Sequence, residues 1–204
     1  AHWTAALPGA VEPVAAAPAS VLSAMSIGGL WLALFRGPWR LFGLGPILAA
    51  LWLWSGPAER PALLVSSDAR LVGRLGPEGR ALDQPRASGF IAERWMERDG
   101  DLAEQAVAAT RPGLEGSRKV VYAPFENGWT VVVLRRPDDA VFDQECRPKR
   151  LVISDFRLRR DGACKVIDGG DLRRLGALAI DQAGDELRIT PSTASRNRLW
   201  SPKH

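Results

Sequence analysis

The feature that most constrains this chain is the apolar stretch GGLWLALFRGPWRLFGLGPILAALWLW at residues 28–54. No Asp, Glu, Lys or Arg lies in residues 13–35 or in residues 41–58, so uncharged runs of 23 and 18 residues flank the turn RGPWR. A membrane-spanning helix needs about 20 mostly apolar residues. The first run meets this length, whereas 41–54 rises only about 21 Å against a hydrocarbon core of about 30 Å.

Two interpretations of this stretch are open: a buried helical hairpin of a soluble protein, or two membrane spans joined by a charged turn. A helix that is apolar all round can lie in the core of a large α-helical protein, but no other segment here is apolar enough to surround it. Trp31 and Trp39 lie beside the turn, and Trp52 and Trp54 close the second run. Tryptophan is enriched at membrane interfaces, so these positions favour the membrane hairpin.

The membrane interpretation predicts an extramembrane or interfacial segment at 1–15, two transmembrane helices within 16–55 (about 16–35 and 40–55), and a separate domain at 56–204. The turn contains Arg36 and Arg40 and no acid, so the positive-inside rule places it in the cytoplasm and the domain on the outer side. The chain begins AHWTAALPGA without an initiator Met, from which we expect a fragment of a longer protein.

The segment from residue 60 onward carries 25 of the 27 Lys and Arg and 21 of the 23 Asp and Glu, and it is long enough for one domain with its own core. Its hydrophobic patterns predict a mixed α/β (α+β) domain. The predicted strands are ALLVS, RLVGRL, KVVYAP, GWTVVVL, RLVIS, CKVID, ALAID and ELRIT. The predicted helices are SGFIAERWMER, DLAEQAVAA, DDAVFDQEC and DLRRLG.

The sequence contains no recognisable catalytic motif. The two histidines, His2 and His204, lie at opposite ends of the chain, and a catalytic triad or a zinc site needs oriented imidazoles. Asp138, Asp139 and Asp143 can in principle bind a divalent cation, but helix capping and surface charge explain them better. We therefore expect no enzyme activity, no metal and no cofactor.

Cys146 and Cys164 are the two cysteines, and 17 residues separate them. On the outer side of a membrane a disulfide between them would persist, and it would stabilise the fold by roughly 3 kcal/mol through the entropy of the unfolded chain. The sequence alone leaves open both this bridge and two separate buried thiols.

A basic segment surrounds the second cysteine: residues 147–174 hold nine Lys or Arg against four Asp. Such a segment can follow a phosphate backbone. The candidate nucleic-acid contacts are Arg147, Lys149, Arg150, Arg157, Arg159 and Arg160. From the residues alone a solvated surface is the better interpretation, because the net charge is modest and Phe156 is the single aromatic side chain available for stacking on bases.

The succession of segments resembles the C-terminal part of the ComEC competence-protein family in its alphaproteobacterial form. The resemblance is carried by the order LPGAVEPVAAAP, the apolar stretch, LLVSSDARLVGRLGPEGRAL, FIAERWMERDGD, CRPKRLVISDFRLRRDGACKVIDGGDLRRLGA and RNRLW. It covers most of the chain and is weakest over 101–145, where the extra cysteines of relatives are missing.

The resemblance implies a fragment of a multi-pass protein of the bacterial inner membrane that passes single-stranded DNA inward during natural transformation, with a periplasmic C-terminal domain. Its partners would be the membrane, single-stranded DNA, the rest of the channel protein and the DNA-uptake machinery. In many relatives the domain is a metallo-β-lactamase-like nuclease with a His-x-His-x-Asp-His motif. This chain has no matching position, so we expect a degenerate, non-catalytic form. A membrane-anchored periplasmic hydrolase and a purely structural brace are the alternatives.

Overall fold

The computed structural model describes residues 17, 19–55, 60–158 and 162–193. The chain divides into two units. The first, here called the hairpin unit, comprises Ala1–Arg60 with Glu97–Gly100, and the second, here called the α/β unit, comprises Pro61–Met96 with Asp101–His204. Each unit is described by itself below.

The hairpin unit has two arms. Helix α1 spans Ala19–Leu34, and the second arm consists of a 3-10 segment, Pro38–Gly43, followed by helix α2, Leu44–Trp54. The arms meet at two glycines: a Cβ added to Gly28 would lie 2.6 Å from the carbonyl oxygen of Gly43, and one added to Gly43 would lie 2.7 Å from that of Gly28. Since a side chain at either position would collide with backbone, these glycines permit the close approach.

Both helices fall within the segments for which the sequence predicts membrane spans. Among the residues described, no helix has the length and apolarity needed to cross a membrane.

The α/β unit contains ten strands and four helices in its described residues. The strands are β1 Leu63–Val65, β2 Val72–Gly76, β3 Gly79–Leu82, β4 Glu115–Gly116, β5 Val120–Pro124, β6 Thr130–Leu134, β7 Arg150–Ser154, β8 Lys165–Ile167, β9 Leu178–Ala183 and β10 Glu186–Pro191. The helices are α3 Gly89–Asp99, of which residues 89–96 belong to this unit, α4 Gln105–Ala108, α5 Asp139–Glu145 and α6 Gly169–Leu175.

The strands form two five-stranded sheets. Sheet A has the order β10-β9-β1-β2-β3 and is antiparallel throughout. Sheet B has the order β4-β5-β6-β7-β8; its first three strands are antiparallel, whereas β6, β7 and β8 are parallel. Because β9 and β10 return to pair beside β1, the two ends of the described domain lie in the same sheet.

The core has three apolar clusters, which define the layers. The largest lies between the sheets and joins residues such as Leu63 and Ile180 of sheet A to Val131 and Leu151 of sheet B. A second cluster packs α3 and α4 on the outer face of sheet A, and a third packs α5, through Phe142, on the outer face of sheet B. The order of layers is therefore helix, sheet, sheet, helix.

The mixed α/β class predicted from the sequence is confirmed. Local signals account for the positions of several elements: Asp138 caps α5 by accepting a hydrogen bond from the Val141 amide at 3.2 Å, and the turn at residues 126–128 joins β5 to β6. The predicted helix DLAEQAVAA is shorter than expected, because only Gln105–Ala108 is helical.

Candidate functional site

A disulfide closes residues 147–163, the first part of the basic segment, into a loop. Cys146 follows α5, Cys164 precedes β8, and the two are bonded with their Cα atoms 4.8 Å apart. The backbone at Gly162 passes directly over this bridge: a Cβ there would lie 2.0 Å from the Cys146 sulfur. Any residue with a side chain would have to displace the backbone, so glycine is required at this contact.

Two of the candidate nucleic-acid contacts in this segment form ion pairs. Lys149 donates to the Asp185 carboxylate at 2.8 Å. Arg150, on β7, pairs with Glu145, whose carboxylate also accepts a hydrogen bond from the Tyr122 hydroxyl at 3.0 Å. The Lys149 pair is largely exposed, so it contributes little stability and a phosphate can compete for the lysine. Arg150 is more enclosed, and its role is to hold the end of α5 against sheet B.

The other candidates differ in how available they are. Arg147 is exposed, and its Nε donates to the Gln144 carbonyl at 2.8 Å, which closes the last turn of α5. Arg157 is exposed and makes no ion pair with any described residue. Arg159 and Arg160 lie outside the residues that the structure describes. Among the described candidates, Arg157 is the one whose side chain makes no ion pair or hydrogen bond with another described residue, whereas Arg147, Lys149 and Arg150 are partly occupied.

The acidic candidates lie at the start of α5. Asp138 is its N-cap, and Asp139 and Asp143 are exposed on the helix. Within the described ranges, no group of three or more His, Cys, Asp or Glu side chains is placed to hold a metal ion. His2 and His204 both lie outside those ranges.

A second polar group, here called the strand-end cluster, was not predicted from the sequence. It comprises Asp68, Asp83, Arg135 and Asp155, with Ser66. Asp83 directly follows β3, Arg135 follows β6 and Asp155 follows β7.

Arg135 connects the two sheets within this cluster. Its Nε donates to the Ala69 carbonyl at 3.1 Å, and an Nη atom donates to the Asp83 carboxylate. The Asp83 carboxylate also accepts from the Val72 amide at 2.7 Å. The Asp83 side chain is 4 % exposed and that of Arg135 is 11 % exposed. A side chain from sheet B is therefore held by two groups of sheet A in a largely dry environment.

Burial dominates the electrostatics of the cluster. It raises the pKa of Asp83 even though the Arg135 guanidinium opposes the shift. Burial also raises the pKa of Asp155, partly offset by hydrogen bonding to its backbone and by the nearby arginines. Among the described side chains, the Arg135 Nη1 and Asp155 Oδ1 atoms are buried without a hydrogen-bond partner. Through the bonds of Arg135 to Ala69 and Asp83, the cluster forms a polar cross-link between the two sheets.

A signal for this cluster is present in the sequence. Charged residues immediately follow two apolar runs: Arg135 follows VVVL, and Asp155 follows LVIS. The carboxyl ends of parallel strands lie along one edge of a sheet, where polar side chains collect. The local pattern does not reveal Asp83, because its partner is 52 residues away along the chain.

Comparison with known proteins adds no family assignment: no protein-family model, curated protein or solved structure gives a significant match to this chain.

Proposed function

We propose that this chain is the C-terminal part of a ComEC-type DNA-uptake channel of a bacterial inner membrane. In this proposal the hairpin unit is embedded in the bilayer. The α/β unit lies on the periplasmic side as a degenerate, non-catalytic metallo-β-lactamase-like domain. It holds single-stranded DNA weakly through phosphate contacts.

The observation that carries the proposal is the apolar surface of the hairpin unit. Leucine, isoleucine, phenylalanine and tryptophan side chains are exposed along both arms, with Leu34 at 68 % and Trp52 at 76 %. Soluble monomers rarely expose contiguous apolar patches of this extent, and such patches mark membrane or protein contacts. Helix α1 and residues 41–54 of the second arm carry no charged side chain, as the hydrocarbon region of a bilayer requires.

The α/β unit supports a periplasmic location. Its disulfide suits an oxidising compartment. The helix–sheet–sheet–helix order supports the proposed relation to the metallo-β-lactamase-like domain. Arg157 is available for a phosphate, with Arg147 beside the same disulfide-bounded segment.

A structural brace is the second candidate function, and a specific observation favours it. Arg150 and Lys149 are already paired with carboxylates of this same unit. If all the basic residues act in this way, the unit stiffens the channel and does not touch DNA.

Membrane insertion is tested by carbonate extraction of bacterial membranes, together with a phosphatase reporter fused after residue 59. We expect the full chain to stay in the washed membrane and the reporter to be active only in the periplasm. Release by carbonate would overturn the membrane role, and cytoplasmic activity of the reporter would overturn the orientation.

DNA contact is tested by fluorescence anisotropy of the full chain in detergent, with a labelled single strand at several salt concentrations. Each phosphate contact contributes about 0.7 to the salt slope, so the triple variant R157A/R159A/R160A should lower that slope by about two units. The matched control R118A/R136A/R188A removes three exposed arginines elsewhere and should leave the slope unchanged. Absence of binding at low salt would favour the brace, and metal-dependent cleavage would contradict a non-catalytic domain.

A further inference from the structure

The turn of the hairpin unit presents two arginines in otherwise apolar surroundings. Arg36 and Arg40 are both exposed, and neither forms an ion pair with any described residue. No Asp or Glu occurs between Glu12 and Glu59 in the sequence, so no acid near in sequence can neutralise them. Two cations on an apolar surface that have no counter-ion among the described residues are costly at a membrane unless an anion accompanies them.

The backbone that carries these arginines is held in one conformation. The chain reverses at Gly37 (φ 73°), and the Arg40 amide donates to the Gly37 carbonyl at 3.2 Å. The indole N–H of Trp31 donates to the Trp39 carbonyl at 3.0 Å and ties the end of α1 to the turn. Both arginines therefore project from one fixed turn, which lowers the entropy lost when they bind the same anion.

Aromatic rings surround the turn. Trp31 stacks on Phe35 with ring centroids 4.2 Å apart, and Trp39 lies 5.7 Å from Phe42. Trp39 is 66 % exposed and Phe42 is 67 % exposed. Aromatic rings of this kind reside at the level of lipid headgroups, which is also where the phosphates of phospholipids lie.

We propose that the turn binds the phosphate of an anionic phospholipid, with Arg36 and Arg40 as the ligands and Trp39 and Phe42 resting among the adjoining headgroups. Guanidinium groups form charge-assisted, bidentate hydrogen bonds with phosphate oxygens, which ammonium groups do not reproduce. The net negative charge of the lipid complements the two exposed cations. This inference rests on the proposed membrane insertion and adds to it the chemical class of the lipid at one end of the hairpin.

The test is native mass spectrometry of the full chain in detergent with equimolar phosphatidylglycerol and phosphatidylcholine. We expect phosphatidylglycerol to be retained in preference to phosphatidylcholine. Each arginine near an anionic surface contributes about fivefold in affinity, so R36Q/R40Q should reduce the preference by roughly 30-fold. R36K/R40K keeps the charge but lacks the forked donors, so it should fall between the two.

The control is R118Q/R136Q, which removes the same charge from exposed positions of the α/β unit and should leave the preference intact. Equal retention of both lipids by the unmodified chain would overturn the inference. So would displacement of phosphatidylglycerol by millimolar inorganic phosphate, because the site would then recognise free phosphate rather than lipid.

Carbonate extraction of the same proteins separates this inference from the proposed function. If R36Q/R40Q stays in the washed membrane but loses its lipid preference, the result supports both the membrane insertion and the lipid site. Release of the unmodified chain would overturn the membrane role itself. An inserted, unmodified chain without lipid preference would overturn only the lipid site.

Discussion

The hairpin unit and the α/β unit use apolar side chains in opposite ways. Fifteen of the eighteen large hydrophobic side chains that are exposed in the described residues belong to the hairpin unit, and three belong to the α/β unit. Conversely, Val21 and Ala50 are the only buried hydrophobic residues of the described hairpin arms, whereas the α/β unit has a core between and outside its two sheets. Burial of apolar area drives the folding of the second unit, whereas the described arms of the first leave most of their large apolar side chains exposed.

The arginines follow the same contrast. Arg36 and Arg40 are exposed on the hairpin unit, whereas Arg80 is fully buried in sheet A, where it donates to the carbonyls of Gly73 at 3.1 Å and Pro61 at 3.2 Å. A buried guanidinium is tolerated when its donors are satisfied. Polarity alone therefore does not predict which side chains face outward in this molecule.

The largest expected effect concerns the polar interior of the α/β unit. Replacing Arg135 by Leu leaves the Asp83 carboxylate buried and uncompensated, so the free energy of unfolding should fall by about 3–5 kcal/mol. Urea unfolding of the full chain in detergent, followed by near-UV circular dichroism, measures this change. The exposed neighbour provides the control, since Arg136→Leu should change stability by less than about 0.5 kcal/mol. Equal effects of the two substitutions would show that the cross-sheet contact is unimportant.

The contrast between the units is tested most directly by one pair of leucines. Leu151 is 1 % exposed in sheet B and Leu48 is 63 % exposed on α2. Leu151→Ala should cost about 2–5 kcal/mol by leaving a cavity. Leu48→Ala should leave the unfolding of the α/β unit unchanged but weaken retention of the chain in carbonate-washed membranes. If Leu48→Ala destabilises the α/β unit as strongly as Leu151→Ala, the two units do not differ in the way proposed.

A smaller effect is expected where the two arms of the hairpin unit meet. A Cβ at Gly28 meets the Gly43 carbonyl and Ile47, whereas a Cβ at Gly29 has nothing within 4 Å. Gly28→Ala should therefore force the arms apart at a cost of about 1–3 kcal/mol, while Gly29→Ala should stabilise α1 by up to about 1 kcal/mol through helix propensity. Spin-label distances between the arms report the separation. An unchanged distance in Gly28→Ala would argue against the close crossing.

The smallest effect is the pH dependence contributed by Asp155. Burial raises the pKa of its carboxyl in the folded chain, so the folded state holds the proton more tightly than the unfolded state. Its stabilising contribution is complete below the ordinary aspartate pKa and is lost as pH rises toward the folded value. Asp155→Asn should flatten this decline by no more than about 0.5 kcal/mol, because solvent screens a partly exposed carboxyl.

Urea titrations of the unmodified and variant chains between pH 3 and 7 measure the Asp155 effect. Asp101 provides the opposite control, because its hydrogen bond with Arg111 lowers its pKa. Asp101→Asn should therefore remove stability that is present at neutral pH and is lost as pH falls. A steeper decline in Asp155→Asn than in the unmodified chain would contradict the assigned direction.

The local elements were predictable from the sequence, because strand alternation, the Asp138 cap and the turn before β6 act over a few residues. The layer order and the strand-end cluster were not. Asp83 and Arg135 approach each other only after the two sheets have packed, and no short-range pattern records that pairing. The candidate nucleic-acid contacts could be recognised in the sequence as basic residues. Which of them are free to bind a phosphate depends on tertiary neighbours, because Glu145 pairs with Arg150 and Asp185 pairs with Lys149.

The bond between Cys146 and Cys164 also determines how the α/β unit responds to mechanical load. Strand β7 lies wholly inside the covalent loop, whose ends are 18 positions apart in the chain. Tension applied along the polypeptide passes through the sulfur atoms and bypasses β7, so this strand, which lies between β6 and β8 in sheet B, carries no direct load. Stretching the oxidised unit should therefore release a contour length shorter than that of the reduced unit by about 60 Å, at 3.3–3.6 Å per residue.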